Sequence, residues 1–458
     1  MRTQPTLPIQ LSLGACLKAV GVLVGFLLPV VLLSGCRGAQ PAALCRDCNI
    51  LLISMDTLRA DHLGCYGYEQ QTSPNIDRLA ERSVVFERAV SQSAWTRPAH
   101  ASMLTGLYPV EHGIVAMSRN GGLNPSIPTL AGILSHAGYR TGAFTGGANM
   151  SAHFGFGQGF ESYRSPGRRF EDHLPAIERW LDRDDGRPWF LFVHGFDPHR
   201  PYKSLPADRK ALGLPRLPAR GARTTCKTGG DPAALAPLVA EYDAAVHRGD
   251  RSIGRLLEIV GARGGSEKTI VVFTSDHGEE FLEHGRCFHI RTLYREVVQV
   301  PLIVSVPGIS ARRVDQVVPA SAAITPTLLE LVGHRKPRQP GPSIAAALSG
   351  DRADVGEVVS ETSSRYVESK GHGHGHVRAL TTDDDKLIDW IAQGRREYYD
   401  IRADSLETKP VTNSPRIAVL SRRLERWLES HPPLDLEATD AVLPERLRNQ
   451  LRRMGYID

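Results

Sequence analysis

The residues best suited to chemistry in this 458-residue chain lie just past two apolar runs and at one helix entry. Asp56 follows Asn49-Ile50-Leu51-Leu52-Ile53-Ser54, and Asp276-His277-Gly278 follows Thr269-Ile270-Val271-Val272-Phe273-Thr274. Thr96 opens the stretch Thr96-Arg97-Pro98-Ala99-His100, in which Pro98 sets φ near the helical value. A helix is expected over 99–104, stopped by Thr105-Gly106. A hydroxyl at a helix N-terminus sits among free N–H groups that favour an anion, so Thr96 is placed to attack a phosphate or sulfate ester. Two carboxylates, an imidazole and a hydroxyl can close around a divalent cation such as Zn²⁺ or Mn²⁺. Such a cation activates a bound hydroxyl and neutralises charge on ester oxygens. Asp56, Thr96, Asp276 and His277 are therefore candidate metal ligands, and Thr96 is the candidate nucleophile. His100, one helical turn after Thr96, can face the same cleft to bind a leaving group or stabilise an oxyanion.

The elements that position these residues follow from the hydrophobic pattern. Continuous apolar runs over 49–54 and 269–274 read as strands buried on both faces. Acids at the ends of such strands fall where α/β sheets place their ligands. Further strands are expected over 84–86, 140–144, 189–193 and 300–306. Helices are expected over 74–82, 127–137, 172–181, 233–260 and 323–332. This alternation predicts one large α/β domain. Beyond about residue 351 the pattern changes to short strands near Val358 and Leu387, then helices over 417–428 and 444–454, which reads as a smaller α+β lobe. The Pro-, Gly- and Arg-rich segment 204–232 reads as a surface excursion, and the Arg-rich stretch 216–223 within it as a solvated basic loop. The alternating Gly-His run 371–376 reads as a flexible loop at the cleft rim.

A composition of 41% hydrophobic and 23% charged residues excludes long-range disorder. A formal charge of +5 is small for this length and argues against a nucleic-acid partner. The N-terminus carries Arg2 and Lys18, an apolar run over 19–33, and Leu33-Ser34-Gly35-Cys36. The run is shorter than the ~20 residues needed to span a bilayer, and the tetrapeptide resembles the lipobox of bacterial lipoproteins. Residues 1–36 are accordingly read as a lipoprotein signal peptide with Cys36 as the lipidated residue. An uncleaved anchor is the alternative. Arg37 after the Cys, by the same resemblance, favours the outer membrane, so the expected location is the cell envelope. Five cysteines remain, Cys45, Cys48, Cys65, Cys226 and Cys287, an odd number that leaves at least one unpaired within the chain. Cys45 and Cys48 are expected as a local disulfide or as two idle thiols. The resulting plan is a signal peptide over 1–36, a tether over 37–47, a catalytic domain over 48–350 and an α+β subdomain over 351–458.

Several ordered motifs together resemble the sulfatase family of the alkaline-phosphatase superfamily. They are residues 49–64, Thr105-Gly106-Leu107-Tyr108-Pro109, residues 192–202 with Asp197-Pro198-His199, and Tyr242-Asp243 with Asp250 and Gly254. Ser275-Asp276-His277-Gly278-Glu279 with Glu283-His284-Gly285, then Leu293-Tyr294, Val300-Pro301-Leu302, Tyr398 with Arg402-Ala403-Asp404, and residues 451–457 complete the set. The resemblance implies a large mixed central β-sheet flanked by helices, a smaller C-terminal α+β lobe, and a metal-centred ester-cleaving site. It implies that His199 and His284 line the substrate cleft as acid or oxyanion partners. His289 falls where sulfatases usually carry Lys. With Asp197 and His199 it forms the candidate set for a second cation, as in two-metal members of the superfamily. Asp61 and His62 are read as fixing the loop after the first strand, and His112 as supporting the nucleophile helix.

The sequence departs from the sulfatase pattern at the nucleophile. The family's turn reads Cys/Ser-x-Pro-x-Arg, and its Cys or Ser is oxidised to formylglycine. Here Thr96 and His100 replace the Cys/Ser and the Arg, and Asp56-Thr57 replaces Asp-Asp, so no formylglycine is expected. A formylglycine hydrate expels sulfate by collapsing to the aldehyde. A sulfated Thr has no such exit, whereas a phospho-Thr can be resolved by in-line attack at phosphorus. The expectation is therefore an exported, metal-dependent hydrolase of phosphate or phosphonate (or sulfate) esters, acting through a covalent Thr96 intermediate. Its cofactor would be a divalent cation (Zn, Mn or Ca), and its substrate an anionic ester such as an envelope glycan or lipid headgroup. The alternatives are a sulfuric-ester hydrolase, a phosphoglycerol- or phosphoethanolamine-type transferase acting on envelope glycans, and an inactive glycan-binding remnant.

Overall fold

The computed structural model describes residues 44–115, 121–202, 204–214, 226, 231, 235–265, 267–334, 341–364, 375–436 and 441–454. The signal-peptide reading with Cys36, the basic stretch 216–223 and most of the Gly-His run lie outside the described residues. Among the described residues no helix is long and apolar enough to cross a membrane.

The first strand, β1 (Asn49–Met55), explains the architecture. Its side chains alternate between two cores: Ile50 and Leu52 join one, while Leu51, Ile53 and Met55 join the other. A strand apolar on both faces must be covered on both faces, and β1 is therefore central. It lies parallel between β5 (Trp189–Gly195) and β6 (Thr269–Thr274). The other strands of this sheet are β2 (Val84–Val90), β3 (Arg140–Thr145), β4 (Ser162–Arg164), β9 (Gln299–Ser305) and β10 (Arg312–Pro319). The order across the eight strands is β10-β2-β9-β6-β1-β5-β3-β4. From β6 to β4 the strands run parallel, whereas β9 is antiparallel to both β6 and β2, making the sheet mixed.

Helices cover both faces. The Thr96–Thr105 helix is buried along its whole length and contributes Ala101, Met103 and Leu104 to the core of Ile50 and Leu52. The opposite face is covered by Ala236–Gly261, whose Tyr242, Val246, Ile253 and Leu256 recur at helical spacing, and by Phe170–Leu181. Truncating a fully buried β1 residue such as Leu52 to Ala would cost about 2–5 kcal/mol, the range for large-to-small changes in a packed core.

A short hairpin, β7 (Glu280–Phe281) with β8 (Cys287–Phe288), follows β6. The C-terminal lobe is an antiparallel meander of β11 (Val358–Ser364), β12 (Gly375–Thr381), β13 (Asp385–Trp390) and β14 (Arg395–Asp400), covered by the helix Pro415–Ser430. Its strand β11 is stitched to the loop before the Thr96–Thr105 helix and to the loop after β8. Glu361 N–H donates to Gln92 O (2.9 Å), Ser93 Oγ donates to Glu361 O (2.8 Å), and Thr362 Oγ1 donates to Ile290 O (2.9 Å). The Gly-His run enters β12, where His376 bonds Glu361 (2.6 Å). Disulfides join Cys45 to Cys48 and Cys226 to Cys287, and Cys65 is a free thiol.

Candidate active site

Three adjacent parallel strands end together, and each delivers a ligand-type side chain at its C-terminal end. Asp56 follows β1, His194 is the penultimate residue of β5 and pairs with Ser54, and Asp276 and His277 follow β6. All four are fully buried. The chain turns after Asp56 through Thr57, a non-glycine residue with a φ of 61°, a left-handed conformation that a β-branched residue adopts at a cost. That turn aims the Thr57 N–H at Asp276 Oδ1 (3.2 Å), which also accepts the N–H of His277 (2.9 Å). With Oδ1 so engaged, Asp276 Oδ2 is left facing the histidines, 3.3 Å from His277 Nε2 and 3.6 Å from His100 Nδ1.

Thr96 is the first residue of its helix, preceded by Trp95 in extended conformation (φ −162°, ψ 162°). Its hydroxyl donates to Asp56 Oδ2 across 3.4 Å. The helix ends at Gly106, whose φ of 77° supplies the left-handed stop.

The imidazoles are oriented by backbone carbonyls, which only accept. His277 Nδ1 faces Gly278 O and His194 Nδ1 faces Gly146 O, each at 3.0 Å, so both rings carry their proton on Nδ1. Nε2 of each ring then offers a lone pair, and each points at a carboxylate: His277 to Asp276 Oδ2, and His194 to Asp56 Oδ2 at 3.3 Å. Asp56 Oδ1, Asp276 Oδ2, His194 Nε2 and His277 Nε2 are all buried without a hydrogen-bond partner. Four orphaned lone pairs gathered among two acids repel one another unless a proton or a cation lies between them. Burial pushes Asp56 up to about 7, against the lowering pull of His277 and of the Thr96 hydrogen bond. Burial likewise pushes His194 down to about 4, leaving it neutral and competent to ligate. One ligand atom each from Asp56, Asp276 and His277 lies within 4.8 Å of the others, and the same holds for His100, His194 and Asp276. The residues fit a divalent cation held by mixed oxygen and nitrogen donors.

His100 stands beside Thr96, but both of its nitrogens have partners. Nδ1 lies 2.9 Å from Thr96 O, one helical turn back, and Nε2 lies 3.0 Å from Ser54 Oγ. Burial holds its pKa down at about 3, so it is a neutral ring and supplies no positive charge to an oxyanion.

The other sequence-derived candidates are distributed as follows. His289 lies against His277, ring centroids 4.5 Å apart, and its Nδ1–H donates to Glu279 Oε1 (2.8 Å). His199 stacks on Phe196 at 3.8 Å and meets His289 edge-on at 5.2 Å. Asp197 Oδ2 accepts the N–H of Phe170 (3.0 Å) at the start of the Phe170–Leu181 helix. Among the described residues, Asp197, His199 and His289 do not converge on one point as ligands, unlike the two sets above. His284 has both nitrogens on acceptors, Glu296 Oε1 and Glu407 O, each at 2.7 Å, which makes it an imidazolium stacked on Tyr294. Burial opposes its charge, but the Glu296 hydrogen bond outweighs burial and holds its pKa up at about 9. An imidazolium with both N–H groups engaged is not free to act on a substrate. His62 bonds Asp243 (2.7 Å), Asp61 pairs with Arg59, and His112 lies 3.2 Å from Ser102 Oγ on the Thr96–Thr105 helix.

The sequence does not single out His194, although it stands one residue before the end of β5 as Asp56 stands one residue past the end of β1. Glu279 is a second addition. It is fully buried, bonded to His289 and to the Tyr202 hydroxyl (2.8 Å), and burial pushes it up to about 7.

Sheet order, helical cover and the buried acid–imidazole cluster define an α/β protein with its candidate site at the C-terminal ends of the central strands. The sulfatase family model matches residues 48–334, and a model of the C-terminal region of N-sulphoglucosamine sulphohydrolase matches residues 282–432. The chain belongs to the sulfatase family. It is 26% identical to human N-sulphoglucosamine sulphohydrolase, over 84% of this chain and 91% of that one. Among solved structures, it resembles a 2-O GAG sulfatase with a TM-score of 0.67 at 21% identity, over 88% of this chain and 96% of the other. It resembles the phosphonate monoester hydrolase of Agrobacterium radiobacter with a TM-score of 0.66 at 19% identity, over 84% of this chain and 95% of the other.

Proposed function

We propose that this protein is an exported, lipid-anchored, metal-dependent hydrolase that cleaves phosphate or phosphonate esters through a covalent ester of Thr96. The observation that carries the reading is Thr96 itself, an ordinary hydroxyl at a helix N-terminus, hydrogen-bonded to Asp56 and surrounded by orphaned ligand atoms. Asp56, Asp276, His277 and the Thr96 hydroxyl would hold a divalent cation, whose charge favours the ionised hydroxyl and screens the ester oxygens.

The chain's own groups account for the rest. Asp56 Oδ2 orients the Thr96 hydroxyl, and the first turn of the Thr96–Thr105 helix directs its N–H groups at an anionic ester. Thr96 Oγ1 gives its proton to Asp56 Oδ2 and forms a bond to phosphorus as the bond to the leaving oxygen breaks. Water then attacks phosphorus, its proton replacing the one the leaving oxygen took from the imidazoles, and Thr96 Oγ1 leaves with the proton returned by Asp56. His289, against His277, and His199 beside it are the groups we assign to the leaving oxygen; with Nδ1 of each ring engaged, by Glu279 Oε1 and by Arg200 O, a proton for that oxygen would come from the imidazolium form of either ring. Trp95 and the Arg97 guanidinium, 4.9 Å over its ring, brace the helix entry so that the hydroxyl is held in place before substrate arrives.

A second reading, hydrolysis of sulfuric esters of glycans, is favoured by the sulfohydrolase relatives. It requires attack at sulfur to release a sulfated Thr, because Thr96 cannot collapse to an aldehyde. Parallel assays with aryl phosphate diesters, aryl phosphonates and aryl sulfates separate the two. Faster turnover of a phosphorus ester supports the first reading, and faster turnover of aryl sulfate than of every phosphorus ester would sink it.

A further inference from the structure

We propose that His100, His194 and Asp276 form a second cation site on the sheet side of the first, with the Asp276 carboxylate shared between the two. The inference rests on the proposed metal-dependent reading and adds a second centre to it.

Two convergent ligand sets meet at Asp276, one with Asp56 and His277, the other with His100 and His194. The ligand atoms of His194 and His277 belong to different sets, so one small cation does not gather both. Asp56 is divided in the same way: its Oδ1 faces His277 Nε2 at 3.8 Å, and its Oδ2 faces His194 Nε2 at 3.3 Å. The two carboxylates thus lie between an imidazole on one side and a pair of imidazoles on the other.

His194 supplies the unpartnered nitrogen of the second set. Its Nδ1 proton is committed to Gly146 O, and its Nε2 is fully buried, orphaned and aimed at a carboxylate oxygen. His100 meets it edge-on, ring centroids 4.7 Å apart at 81°. Coordination by His100 exchanges one of its present hydrogen bonds, to Ser54 Oγ or Thr96 O. Ser54 and His194 pair directly across β1 and β5, within the sheet, whereas Asp56 and His277 lie beyond the strand ends. The second position therefore lies behind the first.

Two imidazoles and one carboxylate are donors for a borderline divalent ion of the Zn²⁺ class.

The test is metal stoichiometry in the full chain, stripped with chelator, titrated with Zn²⁺ and passed through gel filtration. It is paired with zinc-edge anomalous difference density from crystals of the loaded protein. The wild type should retain two ions per chain, with one peak against His194 Nε2. His194→Ala and the milder His194→Gln should each retain one, with the peak at Asp56 and His277 kept. One ion in the wild type, or two in either variant, overturns the second site and leaves the proposed function standing. No retained ion in the wild type overturns both. The wild-type result and its anomalous map decide the matter even where a variant does not fold.

Discussion

The hydroxyl of Thr96 donates to Asp56 Oδ2 across 3.4 Å, joining a helix entry to the end of a central strand 40 residues earlier in the chain. The contact holds the hydroxyl among the unpartnered atoms of Asp56, Asp276, His194 and His277. Replacing Thr96 by Ala should lower kcat by at least about 10³-fold, the scale seen when a covalent nucleophile is removed. The fold and the cation content should be kept, because Asp56, Asp276 and His277 remain. Thr96→Ser should restore part of the rate. Steady-state kinetics and metal analysis of the three proteins check this, and near-normal turnover by Thr96→Ala contradicts it.

Removing the cation should act on stability as well as rate. A cation that binds only the folded state stabilises it by about 2.7 kcal/mol at a free concentration of 100 Kd. The thermal midpoint should therefore rise with added Zn²⁺ or Mn²⁺ and fall with chelator. Asp276→Asn should blunt this response, because Asp276 belongs to both ligand sets. Thermal scans across a cation series measure it, and a midpoint indifferent to cation and chelator contradicts it.

The junction between the large domain and the C-terminal lobe should weaken as pH rises. His284 is held up at about 9 by Glu296 and by Glu407 O, against burial. Glu280 is pushed up to about 8 by burial and by the charge of Glu296, against the Thr292 hydrogen bond. Lys386 bonds both oxygens of Glu407, whose Oε2 also accepts the N–H of Arg295, and Glu283 pairs with Arg59 nearby. A His raised above its unfolded value contributes stability fully below about 6.5, and that contribution is lost as pH rises through about 9. A carboxyl raised in the folded state works in the same direction, costing stability as pH rises toward about 8. The thermal midpoint should fall between pH 6.5 and 9, and His284→Gln should flatten that slope. A slope unchanged by His284→Gln contradicts the assignment.

Gly195, the last residue of β5, is a packing requirement. A Cβ there would fall 2.3 Å from Cδ2 of Phe170, whose N–H bonds Asp197. Gly195→Ala should destabilise the fold by about 1–3 kcal/mol through overpacking, read as a lowered denaturant midpoint at unchanged slope. An unshifted midpoint contradicts the packing account.

Much of the site is legible in the sequence because Asp56, Asp276 and His277 stand at or just past the ends of unbroken apolar strands. By the same rule His194 ends the apolar run over 189–193, yet nothing in the sequence says that β5 lies beside β1. The Ser54–His194 register across those strands makes it a site residue. His284 reads as a cleft residue from its motif, but its setting depends on Glu407, 123 residues away in the other lobe. The Cys226–Cys287 bridge likewise joins positions whose proximity only the tertiary fold creates. β10 carries no strand signal in its first half: Arg312–Pro319 begins with charged and polar residues and becomes apolar only where it passes into the core.

The central claim, a covalent ester of Thr96 at phosphorus, is tested most directly by stereochemistry. Each in-line displacement inverts the configuration at phosphorus. A phosphodiester analogue made chiral at phosphorus with sulfur and an oxygen isotope reports the number of displacements in its product, whether or not the intermediate accumulates. Two displacements through Thr96 predict net retention of configuration. Net inversion, the mark of a single direct attack by water, would contradict the account.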